Sequence, residues 1–189
     1  VDLSAVTPAQ KERFYDLIER YCLKTPVDYS AFKDEHLAHR CRLVQIQAIE
    51  TNIGSISDRN KLGLSYFYLA DLCYNENMFD KCIDYYTKYL EFGPDRSEAH
   101  YNMAQALITL GRHQEAVEQL NKALEMSPGS AKAQSSLGYV FATMNKLDEA
   151  EVHFKEALRL EPTLETARTN LGLAFFRQGK FDDAIKQYT

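Results

Sequence analysis

The chain has 189 residues, 45% of them hydrophobic, and a formal net charge of −5, enough apolar content for a sizeable core. The acidity is mild in both halves, with eight Lys and Arg against nine Asp and Glu in residues 1–60, which argues against the concentrated basic face that nucleic-acid phosphates demand. No run approaches the roughly 18 uninterrupted apolar residues of a membrane-spanning helix, and Val1-Asp2-Leu3-Ser4 opens no basic-then-apolar secretory signal.

Residues 1–60 predict two helices. Thr7-Pro8-Ala9-Gln10 reads as an N-cap with Pro at the first helical position and Gln reaching back. Phe14, Leu17, Ile18 and Tyr21 then share one face until Thr25-Pro26 stops the helix. A second helix is expected from near Ser30 to about Asn52, with Gly54 as its C-terminal punctuation. Its residues Leu37, Cys41, Val44 and Ala48 form one apolar stripe and Leu43, Ile46 and Ile53 a second, the pattern of a helix packed on two sides. This region reads as an N-terminal helical cap, or as a separate docking or oligomerisation element. Cys22, Cys41, Cys73 and Cys82 are irregularly spaced; two disulfides are arithmetically allowed, but reduced buried thiols suit a chain of this size better, and with them a cytoplasmic location. His36, His39 and Cys41 diverge around a helix with no answering cluster, so no metal site is expected.

From residue 61 onward the chain repeats. Pro94, Pro128 and Pro162 are 34 residues apart, as are Ala116, Ala150 and Ala184, and Leu69, Met103, Leu137 and Leu171. One period shared by three residue classes indicates a stack of identical supersecondary units, here 63–96, 97–130, 131–164 and 165–189, within a domain spanning 61–189. In the third unit, a first helix over 131–142 carries Leu137, Val140 and Phe141 inward; Asn145-Lys146 breaks it. A second helix over 148–160 carries Ala150, Phe154, Ala157 and Leu158, and Pro162 closes the unit. Gly111 and Gly179 stand at the internal turn of other units, where a positive φ is needed.

These residues resemble the tetratricopeptide pattern, aromatic-x2-Leu-Gly-x2-Tyr, Ala-x3-Phe, then Ala and Pro. The third unit offers Gln134-x2-Leu137-Gly138-x2-Phe141, Ala150-x3-Phe154, Ala157 and Pro162, and the fourth Arg168-x2-Leu171-Gly172-x2-Phe175 and Ala184-x3-Tyr188. The second gives His100-x2-Met103-Ala104-x2-Leu107, Ala116-x3-Leu120, Ala123 and Pro128. The first diverges, with Tyr66-x2-Leu69-Ala70-x2-Cys73, Cys82-x3-Tyr86, Tyr89 and Pro94, where the bulky Tyr89 stands at a small-residue position. The resemblance implies an all-α, right-handed α-solenoid of antiparallel helix pairs, preceded by an atypical N-terminal helical hairpin.

It also implies a concave groove lined by the first helices, in which a partner peptide or helix lies. The corresponding positions are Phe67, Tyr68 and Asp71; then Tyr101, Asn102, Gln105 and Thr109; then Lys132, Ser136 and Tyr139; then Thr166, Asn170, Leu173 and Arg177. Asn side chains can donate to and accept from a partner backbone, and Tyr offers amphipathic area. The clamp by which some family members grip chaperone carboxylate tails is matched at only two positions, and Asp71 would repel a carboxylate, so that clamp is not expected.

No phosphate-cradling glycine loop or dinucleotide fingerprint occurs. Asp148-Glu149 and Asp182-Asp183 recur at second-helix starts, where negative charge complements the helix dipole rather than serving catalysis. The expectation is therefore a protein-binding scaffold or adaptor, not an enzyme, needing no cofactor or metal and with no nucleic-acid or membrane partner. The alternatives are a self-assembling repeat protein and the targeting arm of a larger enzyme. With no initiator Met and a fourth unit interrupted in its second helix, the chain reads as a fragment whose uncovered apolar end can pair with a second copy.

Overall fold

A computed structural model describes residues 35–188, and all regular structure among them is helical. The helix expected after Thr7-Pro8 and the start of the one expected near Ser30 lie outside the described residues. The chain divides into two compact units, Val1–Pro94 and Asp95–Thr189.

In the first unit, α1 (Glu35–Asn52) ends in a 3₁₀ turn (Ile53–Ser55), followed by α2 (Arg59–Asn75) and α3 (Phe79–Phe92). Asp58 caps α2 by accepting from the Lys61 backbone N–H at 3.0 Å. Arg59 donates to the Glu91 carbonyl at 2.7 Å, setting the start of α2 beside the end of α3, so the two helices run antiparallel. Between them Leu69, Ala70, Cys73, Cys82, Tyr86 and Tyr89 are fully buried. Burial pushes the thiols of Cys73 and Cys82 up to about 11 and about 12.

Tyr89 fits because a glycine stands against its ring at the end of α3. A Cβ on Gly93 would stand 2.5 Å from the Tyr89 ring, and one on Gly63 would stand 2.6 Å from the Gly93 Cα. The methyl missing at Gly93 makes room for the large ring, and the one missing at Gly63 lets α2 approach the backbone at the end of α3. Phe67 adds edge-on contacts to Tyr86 and Tyr89, with centroids 5.5 and 5.0 Å away. Polar contacts hold α1 to this pair. Arg42 pairs with the buried Glu76, the Tyr68 hydroxyl donates to Gln45 Oε1 at 2.6 Å, and Glu50 accepts from Lys81 at 2.9 Å and from the Tyr85 hydroxyl.

The second unit contains α4 (Ser97–Thr109), α5 (His113–Met126), α6 (Ala131–Thr143), α7 (Leu147–Leu160), α8 (Glu165–Arg177) and α9 (Phe181–Tyr188). They stack as three helix pairs. Small residues let the helices approach: a Cβ on Gly138 would stand 2.6 Å from the Phe154 ring, and one on Gly172 2.7 Å from the Tyr188 ring. Ala150, Phe154, Ala157, Ala167, Leu171, Ala174, Phe175 and Ala184 form one buried core, in which an aromatic side chain such as Phe154 contributes about 1.5–3 kcal/mol by burial.

The turn within each pair obeys one rule. Asn77, Gly111, Asn145 and Gly179, 34 residues apart, have φ of 58°, 72°, 60° and 77°. The next residue's N–H returns to the carbonyl five residues back, as in Lys146 to Phe141 at 2.8 Å and Lys180 to Phe175 at 2.9 Å. This is the Schellman closure, which glycine and asparagine tolerate best. Gln134 and His153 join one pair at 2.8 Å, and at the same two positions one unit earlier His100 meets Gln119 at 2.7 Å with the partners exchanged. Among the described residues, no helix is long and apolar enough to cross a membrane.

Candidate partner-binding groove

In α4, α6 and α8 the residues 34 apart face the same way. Ala99, Ala133 and Ala167 are fully buried against neighbouring helices, as are the Met103, Leu137 and Leu171 positions nearly so. The intervening side chains are left on the opposite, first-helix face. There Asn102, Ser136 and Asn170 stand at equivalent positions and are half-buried. Gln105 on α4 donates to Ser136 Oγ on α6 at 3.1 Å, and α6 touches α8 directly. Tyr139 and Leu173, equivalent to Gln105, are 44% and 51% exposed. The result is a polar, hydrogen-bonding row flanked by two open apolar side chains.

The remaining expected residues behave differently. Tyr101 and Lys132 come together at a cavity of about 140 Å³, bounded by Ser97, Ala123 and Ser130. Thr109 bonds back to its own helix at the Gln105 carbonyl (2.9 Å), and Thr166 is exposed. Arg177 donates to the Ala142 carbonyl at 2.8 Å and to Asn145 Oδ1 at 3.0 Å, tying α8 to the turn that follows α6. In the first unit, Phe67 packs on Tyr86 and Tyr89, Tyr68 is bonded to Gln45, and Asp71 accepts from the Tyr86 hydroxyl. Those three side chains have partners inside their own unit. The Gln45 bond was not foreseeable, because it depends on where α1 docks.

Electrostatic effects lie mostly away from this face. Burial works to raise the Glu50 carboxyl, but the bonds from Tyr85 and Lys81 outweigh it and hold it below the ordinary range. Glu151 is likewise held low by Lys155 and Lys180 against the opposing effect of burial. Burial lowers His153 and so favours its neutral form. Among the described residues no three His, Cys, Asp or Glu side chains gather as a metal-ligand set.

The tetratricopeptide repeat family model matches residues 66–128 and 95–163, which together span more than half of the chain. This chain belongs to the tetratricopeptide repeat family. Its fold is the all-α tetratricopeptide solenoid, and solved structures of MamA and YrrB resemble it. The MamA structure aligns with a TM-score of 0.73 at 20% identity, over 87% of this chain and 92% of that one. YrrB, described as a tetratricopeptide protein with an unusual peptide-binding site, aligns with a TM-score of 0.61 at 18% identity, over 98% and 90%. The first such domain of Spaghetti (RPAP3), bound to the HSP90 peptide SRMEEVD, aligns with a TM-score of 0.59 at 25% identity, over 62% and 93%. No curated protein sequence matches the chain significantly. None of these matches indicates an enzyme family for this tetratricopeptide chain.

Proposed function

We propose that the chain is a protein-interaction scaffold whose second unit binds an extended partner segment along the first-helix face of α4, α6 and α8. The observation that carries this reading is the row of Asn102, Ser136 and Asn170 beside the open Tyr139 and Leu173. Amide and hydroxyl groups at a fixed spacing can pair with a peptide backbone, while Tyr and Leu receive its side chains. Peptide binding by the structurally similar YrrB and Spaghetti domains supports the same reading. Phe67, Tyr68 and Asp71 would then support the first unit's own packing, and residues 1–60 would cap the repeats of 61–189.

The test is affinity capture from native lysate with the intact chain and with an Asn102→Ala/Tyr139→Ala/Asn170→Ala variant, whose helicity is checked by circular dichroism. A protein retained by the first and lost by the folded second supports groove binding. Equal capture by both overturns it.

Self-association is a second reading, favoured by Phe176, Phe181, Ile185 and Tyr188, each between 58% and 60% exposed on α8 and α9. Light scattering across concentration tests it: a constant monomer mass at high concentration removes it.

A further inference from the structure

The cavity of about 140 Å³ lies at the N-terminal ends of α4 and α6. Its serine hydroxyls are engaged: Ser127 Oγ donates to Ser97 Oγ at 3.0 Å, and Ser130 Oγ accepts the Ala133 backbone N–H at 3.2 Å. Ala123 and the Tyr101 side chain supply apolar wall. Glu98 and Lys132, both exposed, complete the lining, and each precedes a member of the polar row, Asn102 and Ser136, by one helical turn. One carboxylate and one ammonium favour neither an anion nor a cation. Both stay in water when a neutral group enters.

The next repeat shows what this space accommodates. The residue 34 after Ser130 is Leu164, and the residue 34 after Ala123 is Ala157. Leu164 packs, partly buried, against the core that contains Ala157 and Ala167. Ala131 and Ser135, the equivalents of Ser97 and Tyr101, are buried there at 6% and 8% exposure, whereas Ser97 and Tyr101 are only half-buried. A leucine side chain fills the later crossing from inside the chain. At the earlier crossing a serine stands in its place and the space is open.

We infer that this cavity is the anchor pocket of the groove, taking one leucine-sized aliphatic side chain of the bound segment. The inference rests on the groove reading and adds its specificity: the partner supplies at Ser130 what Leu164 supplies one repeat later. The pocket lies beside the row that pairs with the segment's backbone, so one extended segment can engage both. Burial of the aliphatic group against Tyr101 and Ala123 supplies affinity, and the mixed charge at Glu98 and Lys132 disfavours a charged side chain.

The probe is a phage-displayed library of random dodecapeptides selected on the full chain, with the enriched peptides measured by fluorescence anisotropy. Enriched peptides should share one Leu, Ile or Met position. Replacing that residue by Ala should weaken binding roughly 10- to 100-fold, the worth of one buried aliphatic side chain. Ser130→Leu should weaken the same peptides by a similar factor, because it fills the pocket from inside. The chain already carries leucine at the equivalent Leu164, and circular dichroism with a urea midpoint checks that the variant is folded. Ser130→Ala removes the hydroxyl, leaves the pocket open and should bind as the parent does. Peptides weakened by the Asn102→Ala/Tyr139→Ala/Asn170→Ala variant but indifferent to Ser130→Leu would overturn the pocket and leave the groove standing. Peptides indifferent to that triple variant would overturn the groove reading and, with it, the pocket as its anchor. The pocket also falls if no peptide is enriched, if no aliphatic position is shared, or if Ser130→Ala weakens binding as much as Ser130→Leu.

Discussion

The two units pack the same 34-residue frame in different ways. At the position where the second unit has Ala123 and Ala157, the first has Tyr89, and all three are buried. The second unit brings its helices together over alanine and over Gly138 and Gly172. The first admits a full aromatic ring against Gly93 at the end of the same helix, and α2 crosses that backbone at Gly63. It also joins an extra helix, α1, through polar contacts centred on Glu76 and Glu50 beside the buried Ala38, Cys41 and Ile46, whereas the later pairs of the second unit share one apolar core. A repeat therefore fixes the volume available at a crossing and not which residues fill it.

The sharpest test of that statement is Tyr89→Ala. It should cost about 3–5 kcal/mol, the loss expected for a large buried aromatic, measured by urea denaturation. Adding Gly93→Ala should recover part of that loss, because the new methyl no longer meets the ring. In the parent the same Gly93→Ala change should destabilise. Strict additivity of the two changes would refute the compensation.

Arg42→Met should cost about 1–3 kcal/mol, since it removes the guanidinium beside the Glu76 carboxylate, whose side chain is only 2% exposed and keeps His39 as its other partner. Loss of α1 protection in hydrogen exchange should accompany it. An unchanged denaturation midpoint would mean that α1 is held by its apolar residues and not by the polar seam.

Gly63→Ala should cost about 1–3 kcal/mol, because the added methyl meets backbone and not a movable side chain. Gly129→Ala, with nothing within 4 Å of its Cβ, should stay within about 0.5 kcal/mol. Equal effects at both positions would remove the distinction between a packed glycine and a surface one.

The smallest effect concerns His153. Its folded pKa is depressed by burial, so the unfolded chain binds the proton more readily. Its contribution is complete above the unfolded value of about 6.5 and is lost as pH falls from there through the folded value. His153→Gln, matching Gln119 and Gln187, should flatten the stability profile in that window, read from denaturation midpoints at stepped pH. An unaltered slope would assign the dependence to other groups.

Much of the second unit was legible in the residues. The 131–142 and 148–160 expectations differ from α6 and α7 by one residue at one end each, because Leu137, Val140, Ala150 and Phe154 recur with helical spacing. The left-handed turns at Gly111 and Gly179 were also readable, whereas Asn145 was legible only as a helix break and its φ of 60° came from the structure. The accommodation of Tyr89 was not. Gly93 is only four residues after it, but Gly63 lies 26 residues before it, and only the crossing of α2 with α3 brings Gly63 against the Gly93 backbone. The groove positions shared this limit: the period placed Phe67, Tyr68 and Asp71 beside Tyr101, Asn102 and Tyr139 as equivalents, without their partners.

The sequence by itself determined the helical class, the 34-residue unit, the turn chemistry and the family, because these follow from local backbone preference and from apolar periodicity along one chain. The tertiary structure alone decided which equivalent side chains are bonded inward and which stay open. It decided how Tyr89 finds room, and that Lys155 and Lys180 meet around Glu151. Those outcomes depend on distances between helices, and a linear pattern carries no such distances.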